Sequence, residues 1–166
     1  LELCFKAALA HAGPSYIRIG KSDSNPVRGA GEAASLDPHW LNRVDGSNAC
    51  IVVTGAMARI GQAVGKELGV AVLSVPCLKP LDGRLAERLR PFNHIITVEE
   101  HNLRGGLYSA LCEALVAAGP GPLPQVTPLA LKDQFSQNVG SHQYALSEHG
   151  LDDAQIRQRI RAALKL

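Results

Sequence analysis

The chain has 166 residues, of which seventeen are basic and fifteen acidic, for a formal net charge of +2; that balance is too even for a protein that must neutralise many phosphates. Its 46% apolar and 19% charged content excludes a disordered chain, and seven aromatic residues offer little for stacking unpaired bases, so nucleic acid is not an expected partner. At this size roughly two-thirds of the extended surface can be buried, enough for a core without metal or disulfide staples.

Residues 1–12 read as a helix, with Leu3, Cys4, Ala7, Ala8 and His11 at three- and four-residue spacing. Because the chain opens at Leu1 inside that pattern, we expect a piece of a longer protein. Gly13-Pro14 stops the helix, and the β-branched run at 15–19 reads as a strand. Residues 20–48 turn to Gly, Ser, Asp, Asn and Pro, a connector too long for a compact unit, which places a linker at a domain boundary.

From residue 50 the pattern alternates between strand and helix. A strand at 50–54 leads to a helix at 57–68, with Met57, Ile60, Val64 and Leu68 on one stripe. A strand at 70–75 and the loop through Lys79-Pro80 lead to a helix at 81–90. A strand at 94–98 follows, then a helix at 106–118 that aligns Leu107, Leu111 and Leu115. After the turn Gly119-Pro120-Gly121-Pro122 comes a strand at 125–131, and a helix at 152–164 closes the chain. This last helix carries Asp152 and Asp153 at its start and Arg157, Arg159, Arg161 and Lys165 later, as the helix dipole favours. Repeated β-α units imply a largely parallel sheet covered on both faces, and the fold class is α/β.

No run approaches the roughly 18 apolar residues of a membrane span, and no basic-then-apolar leader opens the chain. Cys4, Cys50, Cys77 and Cys112 lie far apart, each in an apolar stretch, with none of the close pairs a zinc site needs. They read as reduced core thiols of a cytoplasmic protein.

Gly55, Gly61 and Gly65 follow or lie in the first β-α unit, but neither G-x-G-x-x-G nor G-x-x-x-x-G-K-[ST] is present. Gly61 and Gly65 each cost a helix about 1 kcal/mol relative to Ala, which makes sense where a bare helix surface lies close against the sheet or a neighbour.

The most informative segment is Val98-Glu99-Glu100-His101-Asn102-Leu103-Arg104-Gly105-Gly106. It lies where a parallel strand ends and a helix begins, the place where open α/β sheets take ligands. A helix N-terminus attracts anions, yet Glu99 and Glu100 would repel a phosphate there. One carboxylate is instead expected to cap the N–H groups of its own or a partner's helix. Neighbouring residues on an extended segment point opposite ways, so an acid–base pair is not expected. The six histidines show no H-E-x-x-H spacing; His101, beside the glycine pair, is the one to test first. No G-x-S-x-G elbow supports a hydrolase triad.

Several motifs together resemble the C-terminal part of the transketolase family. They are Gly13-Pro14-Ser15-Tyr16-Ile17-Arg18, Val53-Thr54-Gly55-Ala56-Met57, Lys79-Pro80-Leu81-Asp82 and Ile96-Thr97-Val98-Glu99-Glu100-His101. Gly105-Gly106-Leu107 and Gly150-Leu151-Asp152, with a helix beginning near Ile156, complete the series in order over nearly the whole chain. The Lys-Pro-Leu-Asp element is shared by deoxyxylulose-phosphate synthase and the beta subunits of 2-oxoacid dehydrogenases.

The resemblance implies a three-layer α/β/α domain with a mixed, mostly parallel sheet of about five strands at 48–166. It implies a linker at 21–47 and, at 1–20, the last helix and strand of a pyrimidine-binding domain. Thiamine diphosphate and Mg2+ would serve the full enzyme from parts outside this chain, leaving no catalytic, cofactor-binding or metal residue here. The implied reaction moves a two-carbon ketol unit between sugar phosphates, chemistry the cofactor carries. Lys21 stands where transketolases carry an arginine for the sugar phosphate, and binds as a point charge without the bidentate fork. Arg18 is an alternative phosphate or structural contact. Glu99, Glu100, His101, Gly105 and Gly106 are the candidate interface, with a two-fold partner or with the cofactor-binding part. The family's Gly-Leu-Gly is Gly106-Leu107-Tyr108 here. Two other readings are a non-catalytic assembly or regulatory module, and a part of a deoxyxylulose-phosphate synthase or 2-oxoacid dehydrogenase.

Overall fold

In the computed structural model, which describes residues 2–20, 27 and 35–166, the apolar runs assemble into one sheet. Its strands are β1 (His39–Asn42), β2 (Ala49–Val53), β3 (Ala71–Ser74), β4 (His94–Asn102) and β5 (Gln125–Leu131), in the order β1-β3-β2-β4-β5. The last four run parallel, and β1 joins β3 antiparallel at the edge. The helices are α1 (Glu2–Ala10), α2 (Ala58–Leu68), α3 (Leu85–Leu89), α4 (Leu107–Ala117), α5 (His142–Glu148) and α6 (Asp153–Leu164).

Every residue of β2 is buried, as a central strand covered on both faces requires. Alternation sends Ile51 and Val53 to one face, where they meet Ile60 and Val64 of α2 and Ile156 and Ile160 of α6. Cys50 and Val52 turn to the other, against Leu85 and Leu89 of α3 and Leu107 and Leu111 of α4. The result is a three-layer α/β/α domain with a mixed five-stranded sheet, as the sequence leads one to expect.

Four elements differ from expectation. The strand at 15–19 does not form: these residues pair with no strand among the described residues, and a strand needs a neighbour to satisfy its backbone. Conversely, β1 arises within the stretch read as linker. Trp40 holds it down: Arg88 lies 5.5 Å above its ring and Phe92 6.1 Å away, while Arg88 also donates to the Pro38 carbonyl at 2.7 Å. The short helix α5 was not anticipated; its N-cap is Ser141, whose hydroxyl accepts from the Tyr144 N–H at 3.2 Å. Finally, β4 continues four residues beyond Val98 to Asn102, with an irregular register against β5.

The layer formed by α2 and α6 is closed by a surface ion network. Arg157 and Arg161 of α6 donate to the two Glu67 oxygens at 2.8 and 2.9 Å. These hydrogen bonds, Arg157 first and Arg161 second, hold the Glu67 carboxyl below its ordinary value. The contribution to stability is therefore present above the ordinary carboxylate range and lost as pH falls through the depressed folded-state value. We expect an NMR titration of the Glu67 carboxyl to show a lowered midpoint that returns upward when Arg157 and Arg161 are both changed to Ala. Because the group is exposed, the accompanying change in stability is expected to be small.

Candidate functional site

The extension of β4 sets the geometry at the carboxyl end of the sheet. Successive side chains alternate across the strand, so Glu99 enters the protein and Glu100 stays near its surface. Glu99 is fully buried, and each of its oxygens accepts one backbone N–H from the start of α4: Leu107 at 2.7 Å and Tyr108 at 2.8 Å. Gly106, the N-cap residue of α4, has no side chain to do this. A carboxylate eight residues upstream thus satisfies donors that every helix start leaves open.

The two glycines make room for that arrangement. Gly105 sits at φ +80, the left-handed region, and its N–H donates to Ser109 Oγ at 2.9 Å. At Gly106 a Cβ would run into Glu99 Oε2 and lie 2.9 Å from His101 Nδ1. The turn between them is tied down by Asn102, whose Oδ1 accepts from the Arg104 N–H at 2.8 Å and whose Nδ2 donates to Asp133 at 3.0 Å.

Glu100 faces the other way and gathers two distant segments. Its Oε1 lies 2.9 Å from His142 Nε2 at the start of α5 and 3.9 Å from Arg18 Nη2 in the arm that follows α1. His101 is exposed, with Nδ1 3.0 Å from the Asn102 carbonyl. The structure thus brings Arg18 to the Glu99–Gly106 segment, while Lys21 lies outside the described residues. Of the residues expected at an interface, Glu99 and Gly106 are buried within this chain, where the carboxylate caps its own helix. Glu100, His101 and Gly105 remain at the surface.

Two participants were not singled out from sequence, His142 and Asp133. Gly140-Ser141 ahead of a short apolar pattern is a helix-start signal that could have flagged His142; Asp133 carried no local signal.

The residues present do not fit a diphosphate at this end of the sheet. The α4 N-terminus, where an anion would sit, is filled by the chain's own carboxylate. Among the described residues no group of three His, Cys, Asp or Glu side chains is placed to hold a metal ion, and no helix is long and apolar enough to cross a membrane. The cysteines are free, but only Cys50 is in the core, where burial pushes its thiol up to about 12; Cys4, Cys77 and Cys112 are half-buried, a correction to the expectation of four core thiols. Beside Gly105 and Gly106 runs an open groove of about 500 Å³ between Leu78, Lys79 and Leu81 and the Ser109, Ala110 and Glu113 face of α4.

A family model described as the transketolase C-terminal domain matches residues 39–156. A 1-deoxy-D-xylulose-5-phosphate synthase of Stenotrophomonas maltophilia is 30% identical over 159 residues, covering 92% of this chain and 24% of its own length. A putative transketolase C-terminal section of Methanocaldococcus jannaschii is 28% identical, covering 93% of this chain and 49% of its own. Among solved structures, a split-gene transketolase in an inactive beta4 tetramer matches with a TM-score of 0.76 at 28% identity, over 97% of this chain and 52% of that one. The chain spans less than half the length of these curated relatives.

Proposed function

This chain belongs to the transketolase C-terminal domain family, and from that premise we propose that it works as the C-terminal part of a thiamine-diphosphate-dependent transketolase-type enzyme. The enzyme moves a two-carbon ketol unit between sugar phosphates in the cytoplasm. This part serves assembly, both with the cofactor-binding part and between copies, and contributes a substrate-phosphate contact through Lys21 or Arg18. The cofactor supplies the carbanion that breaks and forms the C–C bond. This chain's own residues position: Glu100 holds Arg18 beside the sheet's carboxyl end, which sets where the arm enters.

The observation that carries this reading is the state of residues 2–20. No residue of α1 is buried, although Phe5 and Leu9 are exposed apolar side chains. The arm after it pairs with no strand among the described residues, and Tyr16 is 88% exposed. A helix and an arm that leave Phe5, Leu9, Tyr16 and Ile19 exposed fit the edge of a second body, here a pyrimidine-binding domain ending near residue 20.

Titration calorimetry tests the division of labour. Thiamine diphosphate with Mg2+ is expected to give no binding heat with this chain alone, and heat after it is combined with the cofactor-binding part. Tight binding by this chain alone would overturn the reading. A second reading, part of a 1-deoxy-D-xylulose-5-phosphate synthase, is favoured by the Stenotrophomonas relative. Assaying the combined protein for that product and for two-carbon transfer between sugar phosphates separates the two.

A further inference from the structure

The open groove of about 500 Å³ beside Gly105 and Gly106 has walls that are held apart. Leu78 and Leu81, on the loop after β3, pack against the buried cluster of that layer, and α4 is anchored in the same layer by Leu107, Leu111 and Leu115. The α4 residues that face the groove include Ser109, Ala110 and Ala114, too small to fill it. Small-molecule sites span roughly 300–1,000 Å³ and are lined mainly by apolar groups with a few polar ones, and this groove matches both conditions.

Two charges interrupt the apolar lining, one from each wall: Lys79 comes from the loop and Glu113 from α4. Both are exposed, and among the described residues neither side chain makes an ion pair or a hydrogen bond, with the other or with any third group. The remaining polar side chain, Ser109, is spent within the chain: its hydroxyl accepts from the Gly105 N–H at 2.9 Å and donates to the Leu103 carbonyl at 3.5 Å. One exposed charge is ordinary surface. Opposite charges left uncompensated on facing walls, with apolar groups between them, define the chemistry of an occupant.

That occupant must bring a negative group to Lys79, a positive group to Glu113 and an apolar group to Leu78, Leu81 and Ala110. A free α-amino acid carries all three on one carbon atom, so its carboxylate and ammonium can diverge to opposite walls while its side chain lies on the apolar lining. We infer that the groove binds a free amino acid with an apolar side chain, recognised at its two charged groups by Lys79 and Glu113. Other ligand classes fit less well. An uncharged apolar molecule leaves both charges unused. An anion such as phosphate meets Glu113 as well as Lys79, and finds the α4 N-terminus already filled by Glu99. The site is independent of the assembly and the substrate contact proposed above.

NMR titration of the isotope-labelled 166-residue chain with L-leucine tests it. Saturable shifts are expected in the amides of 78–81 and 105–117. Three control ligands each remove one group: isocaproate lacks the ammonium, isoamylamine the carboxylate and glycine the side chain. Each is expected to bind at least about tenfold more weakly, the scale of one lost charged or apolar contact. Lys79→Glu and Glu113→Lys are each expected to weaken L-leucine binding by a similar factor, and the two together to regain it, because the ligand's charged groups exchange walls. Both side chains are exposed, so thermal unfolding of the variants should match the wild type. Shifts that do not saturate, or that fall elsewhere on the domain, would overturn the site. Isocaproate or isoamylamine binding as tightly as L-leucine would overturn the amino acid as its ligand. A double reversal that binds no better than the single ones would overturn Lys79 and Glu113 as the groups that recognise it.

Discussion

Glu99→Ala is expected to destabilise the domain by about 3–4 kcal/mol in equilibrium urea unfolding. Hydrogen bonds to a charged partner contribute about 1.5–3 kcal/mol each, and Glu99 makes two, to the N–H groups of Leu107 and Tyr108. The two do not add in full, since Leu107 is buried while Tyr108 is half-buried and can recruit water. The Leu107 N–H is left without a partner, and the space vacated by the carboxylate adds a cavity. Glu99→Gln keeps the shape but offers one accepting oxygen and turns an amide donor toward an N–H, so a loss of about 2 kcal/mol is expected. Gly106→Ala attacks the same contact from the other side, because its Cβ would occupy the position of Glu99 Oε2. It is expected to cost on the order of 2–3 kcal/mol, as overpacking does. The decisive measurement is the double variant. With the carboxylate gone the new methyl has room, so Glu99→Ala with Gly106→Ala should cost clearly less than the sum of the two. Strict additivity, or a Glu99→Ala loss under about 1 kcal/mol, would mean that water caps α4 as well as the carboxylate does.

That contact also shows what a sequence can and cannot disclose. Alternation along an extended segment already divides Glu99 from Glu100, and a carboxylate near a helix start already suggests a cap. The central strands were legible for the same kind of reason: Ala49–Val53 is a continuous apolar run, and the α2 stripe repeats over eleven residues. The failures lie where the deciding partner is distant. Residues 15–19 have the composition of a strand, but a strand exists only beside another, and none of the described residues pairs with them. β1 is four residues long, too short for any period to show, and depends on Arg88 reaching across from α3 to Pro38 and Trp40. The carboxyl end of β4 is Glu-Glu-His-Asn, a run that reads as loop until its pairing with Leu131 of β5 is known. At the site, Glu100 could be picked out locally, whereas its pairing with His142, 42 residues away, could not.

The close approach of α2 to the sheet gives the second large effect. In an exposed helix Gly65→Ala would stabilise by about 1 kcal/mol; here it is expected to destabilise by about 2 kcal/mol, the cost of overpacking exceeding the gain in propensity. The new Cβ would collide with Val72 Cγ2 and lie 3.0 Å from the Val70 carbonyl oxygen. Val72 is fully buried in the centre of its layer, and the Val70 oxygen is held by a 2.8 Å hydrogen bond from Asn42 of β1. Neither can yield, so α2 must lift and loosen its packing on Ile51 and Val53. Gly61 differs in one respect: its Cβ would meet Val53 Cγ1, with nothing of the backbone nearby. The two positions therefore respond differently to a compensating truncation. Val53→Ala should absorb most of the Gly61→Ala penalty, leaving the pair close to Val53→Ala alone. Val72→Ala should leave Gly65→Ala measurably impaired, because the carbonyl of Val70 remains in the way. Chemical denaturation of the four single and two double variants decides it. If Gly65→Ala proved stabilising, the α2 backbone would not lie against the sheet, and the layer that carries Ile156 and Ile160 would have to be packed otherwise.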